Sequence, residues 1–135
     1  MPTYLPIEVT PIIRASHSNL LQLRWAKQGV VADFIIPENN QDALRVQFLR
    51  TEMIRIIEEM PISTESEETP NDGLIAEHFA YEVQGASFWN QQSEAFKVVY
   101  QKAKHYRFIT GFYCLDVIAS NEPIFTVVPT SAFPS

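Results

Sequence analysis

The sequence predicts an α+β fold: a mostly antiparallel sheet of five to six strands with two amphipathic helices packed on one face. Three observations lead to it. Apolar runs joined by turn residues at 19–37 and 105–128 favour antiparallel strand pairs. Two segments, 39–60 and 89–104, carry apolar residues at helical spacing. The predicted element order is β-β-β-α-β-α-β-β. We therefore expect a single α+β domain over residues 1–135, with 1–6 and 129–135 frayed.

Composition narrows the class of protein. The 135 residues are 46% hydrophobic and 12% aromatic, which is enough for one core without metal or disulfide support. The single cysteine excludes an intrachain disulfide and favours a reducing, cytoplasmic compartment. We expect no signal peptide and no membrane span, because no long uncharged apolar stretch occurs. The net charge of −6 disfavours nucleic acid and anionic membranes as partners.

Residues 19–37 show the clearest strand pattern, with apolar runs on both sides of Gln28-Gly29. A two-residue turn there places Lys27 opposite Val30 and Trp25 opposite Ala32. The same register puts six residues on the core side of the hairpin: Leu21, Leu23, Trp25, Ala32, Phe34 and Ile36. On the other side it pairs Arg24 with Asp33 as a cross-strand ion pair.

The segment 39–60 is predicted to be the first helix, with Asn39 or Asn40 as N-cap and Pro61 as the stop. Its apolar stripe consists of Leu44, Phe48, Leu49, Met53, Ile56, Ile57 and Met60. Residues 61–73 are predicted to be a mobile acidic loop. From Glu58 to Glu77 the chain carries seven acidic residues and no basic one.

The second half begins with a strand pattern in 74–88, where Phe79, Tyr81 and Val83 alternate with more polar residues. A second helix is predicted over 89–104, with its inward residues at Trp89, Phe96, Val99 and Ala103. A strand over 105–119 is apolar on both faces, which predicts a central position. A turn at 120–123 joins it to a second strand ending at 128. Gly111 predicts either a close approach by another group or a pleat that admits a bulky neighbour.

Candidate chemistry is sparse. Cys114 lies in the most apolar strand, which predicts an inert core thiol. Asp116 shares its strand face, and it either pairs with an arginine, reaches water, or is a functional carboxylate with a raised pKa. The three histidines, His17, His78 and His105, are too far apart in sequence to indicate a metal site. We expect no metal and no cofactor, and no motif identifies a catalytic residue.

Three hypotheses for function stay open. The first is a non-enzymatic protein-interaction module that acts as an assembly, chaperone-like or inhibitory partner. It is supported by the doubly apolar strand, and by an acidic run opposed to a cationic cluster at Lys97, Lys102, Lys104, His105 and Arg107. Its partner is another protein or a second copy of the chain, as a homodimer.

The other two hypotheses involve small molecules. One is a ligand-binding domain with a pocket between the sheet and the first helix, lined by Trp25, Phe48, Tyr81 and Phe112. The other is an enzyme that requires at least three of four residues to converge: His78, Glu82, Arg107 and Asp116. The interaction module ranks first, as a cytoplasmic protein whose partners include neither nucleic acid nor membranes.

Overall fold

The computed structural model describes residues 2–27, 29–58, 73–90 and 92–132, and across these the chain is mostly β. The predicted α+β fold is wrong, because the segment expected to form the first helix forms strands and only two short helices occur in the described ranges. The helices are α1 (Ser87–Asn90) and α2 (Glu94–Val99). The strands are β1 (Thr3–Pro6), β2 (Leu20–Ala26), β3 (Gly29–Ile36), β4 (Asn39–Phe48), β5 (Thr51–Glu58), β6 (Ala80–Gln84), β7 (Lys104–Phe108), β8 (Tyr113–Ala119) and β9 (Ile124–Pro129).

The strands form two antiparallel sheets that pack face to face as a sandwich. Sheet A has the order β1-β6-β7-β8-β5, and sheet B has the order β2-β3-β4-β9. Alternation along each strand sends one set of side chains inward. Phe34 and Phe48 of sheet B meet Phe108 of sheet A with ring centroids 5.9 and 6.1 Å apart, and Phe79 lies 4.9 Å from Phe34. These buried rings are the centre of the core.

The predicted helix over 39–60 is wrong, since its described part forms β4 and β5 with a break at Leu49 and Arg50. Leu44, Val46 and Phe48 all point into the core. Apolar residues in this segment therefore recur at every second position, as in a strand, as well as at helical spacing. The segment is also rich in β-branched residues, which pack well on a pleated surface. The decisive factor is tertiary: β4 lies inside sheet B, with β3 on one side and β9 on the other.

The predicted helix over 89–104 is only partly present. Trp89 belongs to α1, while α2 is capped by Ser93, whose hydroxyl accepts a hydrogen bond from the Phe96 amide at 3.0 Å. Val99, predicted to face inward, is 71% exposed, whereas Ala103 is buried. Because a serine cap begins a new helix inside the segment, a single continuous apolar face cannot form.

The pattern at 105–128 contains three strands rather than two. Residues 109–112 interrupt the long predicted strand between β7 and β8. A Cβ added at Gly111 would lie 2.7 Å from the Ser16 carbonyl oxygen, so the close approach is made by backbone. β8 and β9 do not pair as predicted; the turn at 120–123 carries the chain from sheet A to sheet B. As predicted, β8 is an internal strand, between β7 and β5.

The hairpin of β2 and β3 is present in a different register. Trp25 pairs with Val30 and Leu23 with Ala32, and the register shifts between Leu20 and Gln22. A displacement of two residues keeps Leu23, Ala32 and Phe34 on their predicted face. The predicted core positions of Leu21 and Trp25 are wrong, since Leu21 lies at the register shift and the two residues are 44% and 57% exposed. The predicted Arg24–Asp33 ion pair is wrong: Arg24 pairs with Val31, and Asp33 is bonded instead to Gln22 and Arg45.

Several expectations concern residues outside the described ranges. They are the turn residue Gln28, the helix end at Met60 and Pro61, residues 61–72 of the acidic loop, and residues 133–135 of the tail. At the described termini, Thr3–Pro6 pair with β6, and a 3₁₀ turn at Thr130–Ala132 follows β9. The Thr130 hydroxyl donates to the Asn40 and Gln41 carbonyls at 3.1 and 3.0 Å, which fastens this turn to β4.

Candidate functional site

A cluster of ionisable groups is buried on the outer face of sheet A. Its centre is Asp116 of β8, flanked by β5 on one side and β7 on the other. Arg55 donates from Nε and Nη2 to Asp116 Oδ2 at 3.0 and 2.7 Å. Arg107 Nε and His105 Nε2 both donate to Oδ1, at 2.7 and 2.6 Å. These four residues and Tyr4, whose hydroxyl accepts from Arg107 at 2.6 Å, are called the Asp116 cluster below.

The strand registers explain why these residues meet. Arg55, Asp116 and Arg107 are direct cross-strand neighbours, and His105 lies two residues before Arg107 on the same face. Phe88 of α1 covers the cluster, with its ring centroid 5.3 Å from that of His105 and 4.7 Å from the Arg55 guanidinium carbon. The outer face of β8, which points away from the core between the sheets, is therefore covered by α1.

Protonation in the cluster follows from its geometry. Burial alone would raise the pKa of Asp116, but the His105 hydrogen bond and the Arg107 and Arg55 charges hold that pKa well below its usual range. Burial also lowers the pKa of His105, against the opposing effect of Asp116. His105 is thus neutral at pH 7, and its proton lies on Nε2 because the carboxylate can only accept. Its buried Nδ1 has no hydrogen-bond partner among the described residues.

The contacts of the Asp116 cluster stabilise the negative charge of the Asp116 carboxylate and do not favour its acting as a base. An ionised carboxylate that accepts four hydrogen bonds from cations and an imidazole is a poor base, since its proton affinity is low. Asp116 and Arg107 are both under 3% exposed. Of the sequence alternatives for Asp116, the pairing with arginine is present and the raised pKa is not. Cys114, on the same face, is also buried.

The remaining predicted site residues are dispersed. Phe48 lies in the core between the sheets, and Tyr81 is buried on the outer face of sheet A, where its hydroxyl bonds the backbone of Ile75. Trp25 and Phe112 are 57% and 67% exposed, at opposite ends of the sandwich. These four residues therefore do not line one pocket.

His78 and Glu82 also lie apart from the Asp116 cluster. His78 Nε2 is 3.0 Å from the Ile7 carbonyl oxygen, and Glu82 is on the inner side of β6, 3.5 Å from Lys104. Of the four proposed enzyme residues, only Arg107 and Asp116 meet. Sequence reasoning missed Arg55 and Tyr4 as members of the cluster. Residues 51–58 do not alternate strictly between polar and apolar, so the helical interpretation of that segment concealed the position of Arg55.

Exposed charges are unevenly distributed along the strand axis. At one end of the sandwich, where β3 turns into β4 and β5 finishes, lie the carboxylates of Glu8, Glu38, Asp42, Glu58 and Glu77. The opposite end carries the β2–β3 turn, the β4–β5 link and the start of β9. Its exposed cations include Lys27, Arg50, Lys102 and Lys104, and Glu122 is exposed there as well. Arg14 is an exposed cation of the first end, 3.7 Å from Glu77. Of the sequence's cationic cluster, His105 and Arg107 are buried instead.

This second end also exposes large apolar side chains and is called the apolar end below. Trp25, Leu49, Val98 and Val99 are 57%, 54%, 63% and 71% exposed. A shallow cleft of about 370 Å³ runs between Arg50, Ser120 and residues 98–102. Arg50 Nε lies 3.8 Å from Glu52 Oε1, and the Arg50 side chain is largely exposed. Exposed apolar side chains thus lie beside cations on this surface, whereas those of the opposite end, such as Ile12 and Phe112, at 85% and 67% exposed, lie beside carboxylates.

Other ligand classes have little support in the described ranges. No three histidine, cysteine or acidic side chains there are placed to share a metal ion. Within those ranges, none of the helices has the length and apolar character needed to cross a membrane. Comparison with protein-family models, with curated proteins and with solved structures found no match. The function is therefore inferred from the geometry of this chain.

Proposed function

We propose that this protein is a non-enzymatic protein-interaction module that binds its partner through the apolar end. The observation that carries this proposal is the exposure of Trp25, Leu49, Val98 and Val99 at the end of the sandwich that also carries exposed cations. Aromatic and aliphatic side chains of this size are the usual anchors of protein interfaces. The module acts as an assembly, chaperone-like or inhibitory partner in the cytoplasm.

The charges around the apolar side chains indicate the partner's chemistry. Arg50 and Lys102 line the cleft beside Val98 and Val99, and Lys27 lies at the nearby hairpin turn. A cationic rim around an apolar centre fits a protein surface that presents acidic and apolar side chains together. It is the reverse of the opposite end, where carboxylates predominate. The chain's net charge of −6 makes nucleic acid a poor occupant of this surface.

Site-specific photo-crosslinking tests the proposal. A photoreactive amino acid at position 99 is expected to give one dominant adduct in native extract, identified by mass spectrometry. The same group at Glu38, on the acidic end, is the control and is expected not to give it. With the captured protein purified, Lys102→Glu and Arg50→Glu should each weaken binding roughly tenfold, about 1.4 kcal/mol. Equal labelling from both positions, or unchanged affinity in both variants, would contradict the proposal.

Small-ligand binding is the second candidate. A cleft of about 550 Å³ on sheet B has an apolar floor of Leu21, Ile35 and Ile36 and polar walls that include Asn39 and Asp42. That volume is in the range of ligand pockets. Asn39 Oδ1, however, already accepts from the Gln41 and Asp42 amides at 2.9 and 3.1 Å. The polar groups of the cleft are thus partly used in hydrogen bonds within the chain, which is why ligand binding ranks second. A fragment screen by NMR, with chemical-shift changes mapped to the residues of the cleft, tests this candidate.

A further inference from the structure

The four sheet edges differ in how they are protected against pairing with another strand. An edge strand offers unpaired backbone N–H and C=O groups, and proteins usually blunt it with prolines, charges or bulges. β1 has four residues, ends in Pro6 and follows Pro2. β2 has a register shift near Leu21 and contains Arg24. β5 has a register shift at Glu52 and also carries Arg55 and Glu58.

The fourth edge, β9, lacks these features along most of its length. Its six residues, IFTVVP, pair with β4 in continuous register and include no charge, and its proline is the final residue. Ile124 and Val127 are 42% and 49% exposed, and Thr126 is exposed as well. No residue after Glu122 in the whole sequence is charged. β9 is therefore a flat, uncharged strand with high β propensity whose free edge is left open by the described residues.

We infer that β9 pairs with β9 of a second copy of this chain, so that two four-stranded B sheets join into one eight-stranded antiparallel sheet. An antiparallel strand is its own complement about a twofold axis, so one unprotected edge is sufficient for a closed dimer. Charge favours a second copy at this place. Two chains of net charge −6 repel each other, and β9, which carries no charged side chain, is where they meet with least repulsion.

The neighbouring strand is compatible with this pairing. Beside β9 on the outer face of sheet B, Arg45 is neutralised by Asp33, its Nε lying 2.8 Å from Oδ1. Arg45 therefore adds no uncompensated charge beside the joint, and Asp42, the other charged residue of β4, lies opposite Pro129 at the very end of β9. Eight strands are within the usual size of an open sheet. The joint buries only one strand per copy, which corresponds to a weak, concentration-dependent dimer rather than an obligate one.

Sedimentation equilibrium of the full chain over the micromolar to sub-millimolar range tests the inference. The wild-type protein should show a reversible rise to twice the chain mass. Thr126→Lys should weaken the dimer roughly tenfold or more, because Thr126 is near the middle of β9 and the two added lysines would lie close to each other beside the twofold axis. Thr126 is exposed, so the variant should unfold at the wild-type temperature.

Gln84→Lys is the matched control, since it adds the same charge at an exposed position of sheet A and should dimerise as the wild type does. In the wild type, β9 amides should also become slower to exchange hydrogen as concentration rises. A wild-type chain that stays monomeric overturns the inference. So does a dimer that Thr126→Lys leaves intact, or one that both lysine variants disrupt equally. None of these outcomes depends on the partner proposed for the apolar end.

Discussion

His105 donates its Nε2 hydrogen to Asp116 Oδ1 at 2.6 Å, and both side chains are almost completely buried. The bond joins β7 to β8 beneath Phe88 and fixes a neutral imidazole beside an ionised carboxylate. A proton added to His105 would place a second N–H, at Nδ1, where the described residues offer no acceptor. It would also add a cation next to Arg107 and Arg55, which already face Asp116 from β7 and β5.

Acid should therefore destabilise the protein in two stages. The pKa of His105 lies below its ordinary 6.5 in the folded state, so its contribution to stability is present above pH 6.5 and is lost as pH falls toward the folded value. The pKa of Asp116 is also depressed, so its contribution is lost only at still lower pH. Urea unfolding between pH 7.5 and 5 should show the first stage, at up to about 1.4 kcal/mol per pH unit.

The variant His105→Gln isolates the first stage. Glutamine can still donate to Asp116 but does not titrate, so the slope of unfolding free energy between pH 7 and 5 should become shallower. A variant at the exposed His17 is the control and should keep the wild-type slope. An unchanged slope in His105→Gln would show that the buried imidazole is not the group responsible.

Asp116→Asn should be strongly destabilising. The amide keeps the shape of the side chain but removes the charge that pairs with the buried Arg107 and the partly buried Arg55. Breaking a buried ion pair typically costs about 3–5 kcal/mol. Chemical denaturation measures it. Glu94→Gln is the control, because Glu94 is 92% exposed and 3.8 Å from Lys97, and exposed pairs of this kind contribute little. If the two variants were equally stable, the ion pairs of the Asp116 cluster would not contribute to the free energy of unfolding as argued.

The β2–β3–β4 face gives a sharper test of register. Asp33 is fully buried and bonded by Arg45 at 2.8 and 3.1 Å and by Gln22 at 2.7 Å, while Arg24 pairs with Val31. Arg45→Ala should therefore cost about 2–4 kcal/mol of unfolding free energy, since it leaves a buried carboxylate poorly paired. Arg24→Ala should cost under about 1 kcal/mol. The reverse order would support the register in which Arg24 faces Asp33.

Gly111→Ala should destabilise the protein by about 1–3 kcal/mol. The added Cβ would lie 2.7 Å from the Ser16 carbonyl oxygen, and a backbone atom cannot rotate away as a side chain could. The Gly111 amide also donates to the Ser18 carbonyl at 3.2 Å, which fixes the distance between the two loops. Thermal unfolding measures the effect, with Phe112→Ala at the exposed neighbouring position as the control. A neutral Gly111→Ala would mean that the 16–18 segment can move aside.

Short-range patterns in the sequence determined much of the local structure. The alternation in 29–36, the turn near Gly29, the strand within 74–88 and the internal position of β8 all follow from which residues are apolar and at what spacing. These features depend on residues two to four positions apart, so they can be predicted without knowledge of the tertiary structure. Leu23, Ala32 and Phe34 keep their predicted face despite an error in register, because a shift of two residues preserves alternation, whereas the irregularity at Leu21 had no signal in the pattern.

Tertiary structure decided the rest. The segment 39–58 satisfies both a helical and a strand period, and it is strand because β3, β8 and β9 are there to pair with it. Whether the turn at 120–123 closes a hairpin or crosses between sheets depends on contacts that no local pattern contains. The Asp116 cluster is the clearest case: Arg55 and Asp116 are 61 positions apart in the chain, and only the pairing of β5 with β8 makes them neighbours. Long-range pairing sets which charges are buried together, and composition alone cannot specify it.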